Sequence, residues 1–278
     1  MKIKQKVKRI IQYIKQPVKI PIVSTIPDNC ILQGKVALIC GGTGGIGRSV
    51  VTKLLMSGCS VIVAGTNVEK LAICKKEYDK DYSGKIETIV VDLSKTNMFS
   101  EYIDKAVSIF GKIDILVLAA GVHTENVTPW AMTPDEFERV VKINLEGPYF
   151  MSLKVAKHMI EKKIHGSILF ISSSRGSEPA WSPYGLSKWG INGLTKGLAQ
   201  QLISYEINVN AIAPGVTATG LLGVQEGDSI YSGDNKLQRM AHPDEISEFA
   251  RLLVSDSGKF VSGEIIHVSA GRGTFDIR

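Results

Sequence analysis

Beyond residue 34 the chain alternates between two hydrophobic patterns. Short, continuous apolar runs rich in β-branched residues occur at 36–40, 61–64, 86–91, 115–119, 167–171, 207–212 and 265–268. Between most of them apolar residues recur at helical spacing, over 46–56, 68–78, 99–110, 134–143 and 148–161. A further long helix is expected from Ser182 through Leu202. Strands that are apolar throughout are buried on both faces, and helices between them supply the cover. The pattern predicts an α/β fold: one doubly wound parallel sheet of about seven strands with helices on both faces, in a single domain spanning 31–278.

Residues 1–30 follow a different pattern. Ile3, Val7, Ile10, Ile11 and Ile14 recur at helical spacing with Lys and Arg between them, and Pro17, Pro21 and Pro27 suggest an extended linker. Such a basic arm could lie on an anionic membrane surface, pack on a sister subunit, or remain frayed. The arm also carries the charge. The formal net charge is +6, and the first 20 residues hold seven basic and no acidic side chains, which leaves the other 258 near −1. A near-neutral body argues against a nucleic-acid-binding surface. Cys30, Cys40, Cys59 and Cys74 form no C-x-x-C pair and have no histidine cluster near them, so no metal site is expected and buried free thiols in a reducing cytoplasm are the default. No stretch has the features of a signal peptide, and the longest apolar run, 115–122, is too short to span a bilayer.

The first strand runs directly into Gly41-Gly42-Thr43-Gly44-Gly45-Ile46-Gly47-Arg48, and a helix follows. Glycines at this point permit a tight turn and let backbone amides and the helix N-terminus approach a pyrophosphate. The spacing is G-x-x-x-G-x-G. At the end of the second strand, where NAD users place an acid for the ribose 2′-hydroxyl, the chain reads Ala64-Gly65-Thr66-Asn67. Thr66 and Asn67 could instead donate to a 2′-phosphate, which favours NADP(H) over NAD(H), although no arginine clamp is evident. Asp92, after the third strand, is placed either to meet the adenine amino group or to cap a helix.

After the fifth strand come Ser172-Ser173-Ser174-Arg175-Gly176 and then Tyr184 and Lys188. At i and i+4 the last two share one helix face. A cation near a phenol, whose ordinary pKa is about 10, favours the phenolate, and a phenol so tuned can exchange a proton with an alcohol or ketone oxygen. A strand-end serine can hold that oxygen as charge develops.

Taken in this order, the glycine turn, Asn144, Ser173 and Tyr184-x-x-x-Lys188 resemble the short-chain dehydrogenase/reductase family, with the similarity running from about residue 34 to 271. The resemblance implies a Rossmann-like domain, hydride transfer between NAD(P)(H) and a ketone or secondary alcohol, and a homodimer or homotetramer. It implies a catalytic tetrad of Asn144, Ser173, Tyr184 and Lys188, with Asn144 supporting a water-linked relay to Lys188. From the sequence alone Asn144 could equally cap a helix. Cofactor contacts are implied at Gly41, Thr43, Gly44, Gly45, Ile46 and Gly47; at Thr66, Asn67, Asp92 and Leu93; at Ala120, Gly121, Tyr184 and Lys188; and at Pro214, Gly215, Val216 and Thr219. Ser172 and Ser174 compete with Ser173, which the family's position before x-x-Gly selects.

The chain departs from the family at Cys40, where threonine is usual, at Leu118-Ala119, where two asparagines are usual, and at Ser269-Ala270 in the closing motif. The first two changes suggest an apolar repacking of the sheet floor. Ten residues separate Ser173 from Tyr184, about two fewer than is common, which should alter the pocket. The loop from Gly220 to Asn235 is polar and glycine-rich and is expected to be a mobile cover. With His123, Glu125 and Glu178 expected at the mouth, it suggests a polar substrate such as a sugar or hydroxy acid. Alternatives are a 3-oxoacyl-carrier-protein reductase and, from another class, a catalytically silent NADP-binding sensor or scaffold.

Overall fold

The computed structural model describes residues 28–125, 128–225 and 227–275; the basic arm lies outside them. Among the described residues there are seven strands: β1 (Val36–Cys40), β2 (Ser60–Gly65), β3 (Ile86–Val90), β4 (Ile115–Leu118), β5 (Ser167–Ile171), β6 (Asn208–Pro214) and β7 (Ile265–Val268). They form one sheet in the order β3-β2-β1-β4-β5-β6-β7, and every neighbouring pair is parallel. Helices α1 (Gly45–Met56), α2 (Val68–Tyr78), α3 (Phe99–Phe110), α4 (Pro134–Val141), α5 (Gly147–Glu161), α6 (Pro183–Leu202) and α7 (Pro243–Val254) connect and cover it.

The period-2 geometry of a strand divides the apolar runs between two cores. On one face Leu38, Cys40, Leu116 and Leu118 pack with Phe99 and Ile103 of α3, Met151 and Val155 of α5, and Ile191 and Leu198 of α6. On the other, Ala37, Ile39, Ile115 and Val117 pack with Val50 and Leu54 of α1, Leu71 of α2, and Ile246 and Ala250 of α7. The expected three-layer α/β architecture is therefore present, and the uniformly apolar strands are those buried from both sides. Strand order reverses between β1 and β4, and the two chains leaving their carboxyl ends separate there to open a cleft.

Two elements differ from the sequence reading. Helix α7 was not expected. Its start carries a capping box, in which the amide of Asp244 bonds to the His242 ring and the amide of His242 to the Glu245 carboxylate. It docks on α1 through Ser49–Asp244 and Lys53–Glu248 contacts. The expected break between 143 and 148 is also absent. Helices α4 and α5 are joined through one π turn, Lys142–Glu146. Pro148 lacks an amide hydrogen, but the widened turn and the first turn of α5 require none there.

Candidate active site

The cleft above the carboxyl ends of the strands has a volume of about 1050 Å³. At one end it is floored by the glycine turn. Gly41 has φ +87°, and a Cβ there would lie 2.5 Å from the Ala120 amide nitrogen; a Cβ on Gly47 would lie 2.2 Å from the Gly41 carbonyl. Both positions exclude a side chain, and their close approach sets α1 directly over the loop. Gly44, the N-cap of α1, offers no side-chain cap, and a Cβ at Gly44 would meet nothing within 4 Å. The first-turn amides and the positive end of the helix dipole thus face an open cradle suited to a pyrophosphate. The donor set fits a dinucleotide.

Every residue expected to touch the cofactor lines this cleft: Gly41, Thr43, Gly44, Gly45, Ile46 and Gly47; Thr66, Asn67, Asp92 and Leu93; Ala120, Gly121, Tyr184 and Lys188; Pro214, Gly215, Val216 and Thr219. Asn67 has an additional task. Its Oδ1 accepts the Lys70 amide at 2.8 Å and caps α2, so only its amide NH2 remains to donate to a ligand. Lys70, which the sequence reading passed over, also lines the cleft here. It stands three residues into a capped helix, so the turn brings its side chain back over the end of β2. The Asp92 carboxylate accepts the Ser94 amide at 2.9 Å and hydroxyl at 2.7 Å. Partial burial opposes its ionisation, but these two hydrogen bonds outweigh it and hold the group below the usual carboxylate range.

At the other end Ser173, Tyr184 and Lys188 converge. Helix α6 starts with Ser182 as N-cap and Pro183 in its first turn, and it is pinned to the end of β4 by the Tyr184 amide donating to Thr124 Oγ1 at 3.2 Å. The three serines are separated by geometry. Ser172 turns away to Asn192 Oδ1 at 2.6 Å, and Ser174 is buried in a short turn. Ser173 lines the cleft, its hydroxyl accepts the Arg175 amide at 3.2 Å, and it acts to lower the pKa of the Tyr184 phenol. Lys188 is buried, donates to the Ile171 carbonyl at 2.9 Å, and lies 5.7 Å from the centre of the Tyr184 ring.

The electrostatics differ from the sequence reading. Burial raises the Tyr184 pKa, against the lowering effect of the Ser173 hydrogen bond and the Arg175 charge. Burial also lowers the Lys188 pKa to about 8. The expected depression of the phenol by the lysine is therefore not found, because desolvation of both groups exceeds their mutual effect. His123 also enters the site. Its ring lies against that of Tyr184 with centroids 4.5 Å apart, and burial and the Lys188 charge hold it below its ordinary pKa.

Asn144 does not line the cleft. It sits in the π turn, 1% exposed, with Oδ1 accepting the Val122 amide and Nδ2 donating to the Val122 carbonyl, both at 2.9 Å. It is thus a mid-helix residue and not a cap. A Cβ built on Gly121 would lie 3.3 Å from Asn144 Oδ1 and 3.9 Å from Lys188 Nζ, so both side chains reach this glycine.

The substrate loop departs from expectation in what it presents to the cleft. It is held by hydrogen bonds, with Ser232 to Gln238 and Asn235 to Arg239 at its base. Among its described residues, Gly220, Leu221 and Leu222 line the cleft. Glu125 pairs with Arg139 outside the cleft, and Glu178 is also outside it. Arg175, Trp181 and Arg272, which were not singled out, line the substrate end.

Comparisons with known proteins agree with this site. Residues 35–228 match the family model described as short chain dehydrogenase. The chain is 33% identical over 255 residues to the 3beta-hydroxysteroid dehydrogenase 2 of Eggerthella lenta, covering 87% of this chain and 96% of that one. It is 32% identical over 244 residues to the 3-oxoacyl-[acyl-carrier-protein] reductase of Aquifex aeolicus, covering 86% and 98%. Among solved structures, a putative gluconate dehydrogenase from Agrobacterium tumefaciens superimposes with a TM-score of 0.79 at 27% identity, covering 88% of this chain and 98% of that one. A 3-ketoacyl-(acyl-carrier-protein) reductase from Brucella melitensis complexed with NADH gives 0.78 at 28% identity, covering 87% and 99%. With the glycine cradle, the Ser173–Tyr184–Lys188 cluster and these relatives in agreement, the chain belongs to the short-chain dehydrogenase/reductase family and is an oxidoreductase acting on a CH–OH or C=O group with a nicotinamide cofactor.

Proposed function

We propose that the chain is an NADP(H)-preferring carbonyl reductase or alcohol dehydrogenase in which Tyr184 is the general acid/base. The observation that carries this reading is that Ser173, Tyr184 and Lys188 line the same cleft as the glycine cradle. The bound nicotinamide supplies or accepts the hydride. Ser173 and Tyr184 hold the substrate oxygen between them, where charge develops as hydride moves. A phenol kept neutral by burial is a proton donor in the reductive direction. Lys188 supplies the nearby charge that favours the phenolate once Tyr184 has given its proton, and Asn144 fixes Val122 and the back of the lysine pocket.

Three features support NADP(H): no acid stands at 64–67, Thr66 and the Asn67 NH2 face the cleft, and Lys70 supplies a cation where a 2′-phosphate would lie. A cation beside a phosphate forms a charge-assisted hydrogen bond. Homo-oligomerisation is supported by a largely apolar hollow lined by Val141 of α4, Leu145 and Glu146 of the π turn, Tyr149 and Phe150 of α5, and Gly190 and Leu194 of α6; Phe137 and Trp189 are exposed as well. A 3-oxoacyl-carrier-protein substrate is a second reading, favoured by the Aquifex and Brucella relatives.

The test is a parallel fluorescence titration with NADPH and NADH on wild type and Lys70→Glu. Tighter NADPH binding that falls to the level of NADH in the variant supports the reading. Equal binding of the two cofactors by the wild type refutes the NADP(H) assignment.

A further inference from the structure

The charges lining the cleft are almost all of one sign. Asp92, at the cofactor end, is the one acid among the described residues lining it, whereas Lys70, Lys188, Arg175 and Arg272 supply cations. Two of these four stand at the substrate end. Arg175 follows Ser173 by two residues, and its amide donates to the Ser173 hydroxyl at 3.2 Å. Its charge reaches the phenol of Tyr184, which puts the guanidinium within electrostatic range of the reacting atoms.

Glu178 stands outside the cleft and braces both arginines from behind. It accepts Arg175 Nη1 at 3.1 Å and Arg272 Nε and Nη2 at 3.0 and 3.2 Å, with its side chain 17% exposed. Burial opposes its ionisation, but the bonds from Arg272 and Arg175 hold it well below the usual carboxylate range. Two carboxylates, Glu178 and Asp234, balance the two guanidinium groups, but they are shared unequally. Asp234, 3.8 Å from Arg272 Nη1, offsets Arg272 further. Arg272 meets both carboxylates and Arg175 only one, so Arg175 keeps more of its donors for a ligand. Its side chain is 55% exposed, and Glu178, through Nη1 alone, is its one side-chain hydrogen-bond partner among the described residues. Arg175 lines the cleft, and a planar guanidinium fork with donors to spare is suited to a carboxylate. The facing wall is apolar, formed by Pro179, Ala180, Trp181, Leu221 and Leu222.

We propose that Arg175 binds a carboxylate on the substrate, so that the enzyme acts on hydroxy or keto acids whose reacting carbon lies a few bonds from the acid and whose remaining body is apolar. This assignment rests on the reading of Ser173 and Tyr184 as the reacting end. It narrows the expected polar substrate to an anionic one and makes the rest of the molecule apolar, unlike a sugar.

Calorimetric titration of protein loaded with NADPH, or with NADH if that binds more tightly, tests this without turnover. The probes are 2-hydroxyhexanoate and 3-hydroxyhexanoate, each against its neutral amide. The expected result is that wild type binds at least one acid about tenfold or more tighter than its amide. Arg175→Gln abolishes the difference and Arg175→Lys restores part of it. Because Arg175 is largely exposed, these variants should fold normally. Amides binding as tightly as acids, no acid binding at millimolar concentration, or a preference that survives in Arg175→Gln would overturn the proposal. Failure of the underlying reading would show separately, as absent binding of either cofactor or as turnover surviving in Tyr184→Phe.

Discussion

The buried lysine of the active site should reduce the stability of the fold. Lys188 is 6% exposed, and burial lowers its pKa from 10.5 to about 8. At 1.36 kcal/mol per unit, keeping it protonated in the folded state costs roughly 3 kcal/mol at pH 7. Between pH 8 and 10.5 the unfolded chain binds the proton that the folded chain has released, so stability rises with pH across that window. By pH 10 the remaining penalty is below about 1 kcal/mol. Lys188→Met removes the charge but leaves the Ile171 carbonyl without its 2.9 Å partner, a loss of about 1 kcal/mol. The net expectation at pH 7 is a variant about 2 kcal/mol more stable than wild type, or roughly 4–8 °C in Tm. Its turnover should be lost. Thermal unfolding at matched protein concentration and at pH 7 and 10 decides the matter. The variant's advantage should shrink to nothing or reverse at pH 10. An equal gap at both pH values, or a wild type that is the more stable at pH 7, would refute the reasoning.

Other substitutions separate chemistry from architecture. Tyr184→Phe should lower turnover about 10³-fold while NADPH binding, read by nicotinamide fluorescence, stays within a factor of about three. Asn144→Ala orphans the amide and carbonyl of Val122 and should cost about 1–3 kcal/mol in chemical denaturation, with cofactor binding preserved if its place is purely structural. Gly47→Ala puts a methyl 2.2 Å from the Gly41 carbonyl, so it should destabilise the protein by about 1–3 kcal/mol and weaken both cofactors alike. An unchanged melting curve in Gly47→Ala would mean that the turn can relax.

The sheet and the residues gathered at its switch point were legible because local pattern determines them. Strands such as Val36–Cys40 and Ser167–Ile171 are apolar on both faces, and nothing else in the chain competes for that description. The substrate end was less legible, because it depends on where side chains of distant segments turn. Glu178 and Arg175 are three apart in sequence, but only the return of the C-terminal segment, bringing Arg272 to Glu178, shows that one acid is shared by two arginines that line the cleft. The π turn was hidden for a related reason. Gly147-Pro148 usually ends a helix, and the widened turn that avoids this is specified by packing, with Gly147 so close to β3's exit that a Cβ would lie 2.4 Å from the Leu93 carbonyl. Helix α7 did carry a local signal, in the run His242-Pro243-Asp244-Glu245, and was recoverable.

The departures from the family at Cys40 and Leu118 also follow from burial. Both side chains are below 4% exposed and belong to the same apolar core, and burial pushes the Cys40 thiol up to about 12. A neutral thiol there is inert and packs as a small hydrophobe. Polar side chains in those places would tie β1 and β4 together by hydrogen bonds under the cofactor. Here the carboxyl ends of the two strands are joined by the ladder itself, with the Ala119 amide on the Cys40 carbonyl at 2.9 Å, and by packing beneath it. The polar tie lies three residues beyond Ala119, where Asn144 clamps Val122 with two hydrogen bonds from outside the sheet. A sheet floor without side-chain hydrogen bonds can therefore still present Gly121, His123 and Thr124 to the tyrosine in fixed register, because the clamp acts on the backbone that carries them.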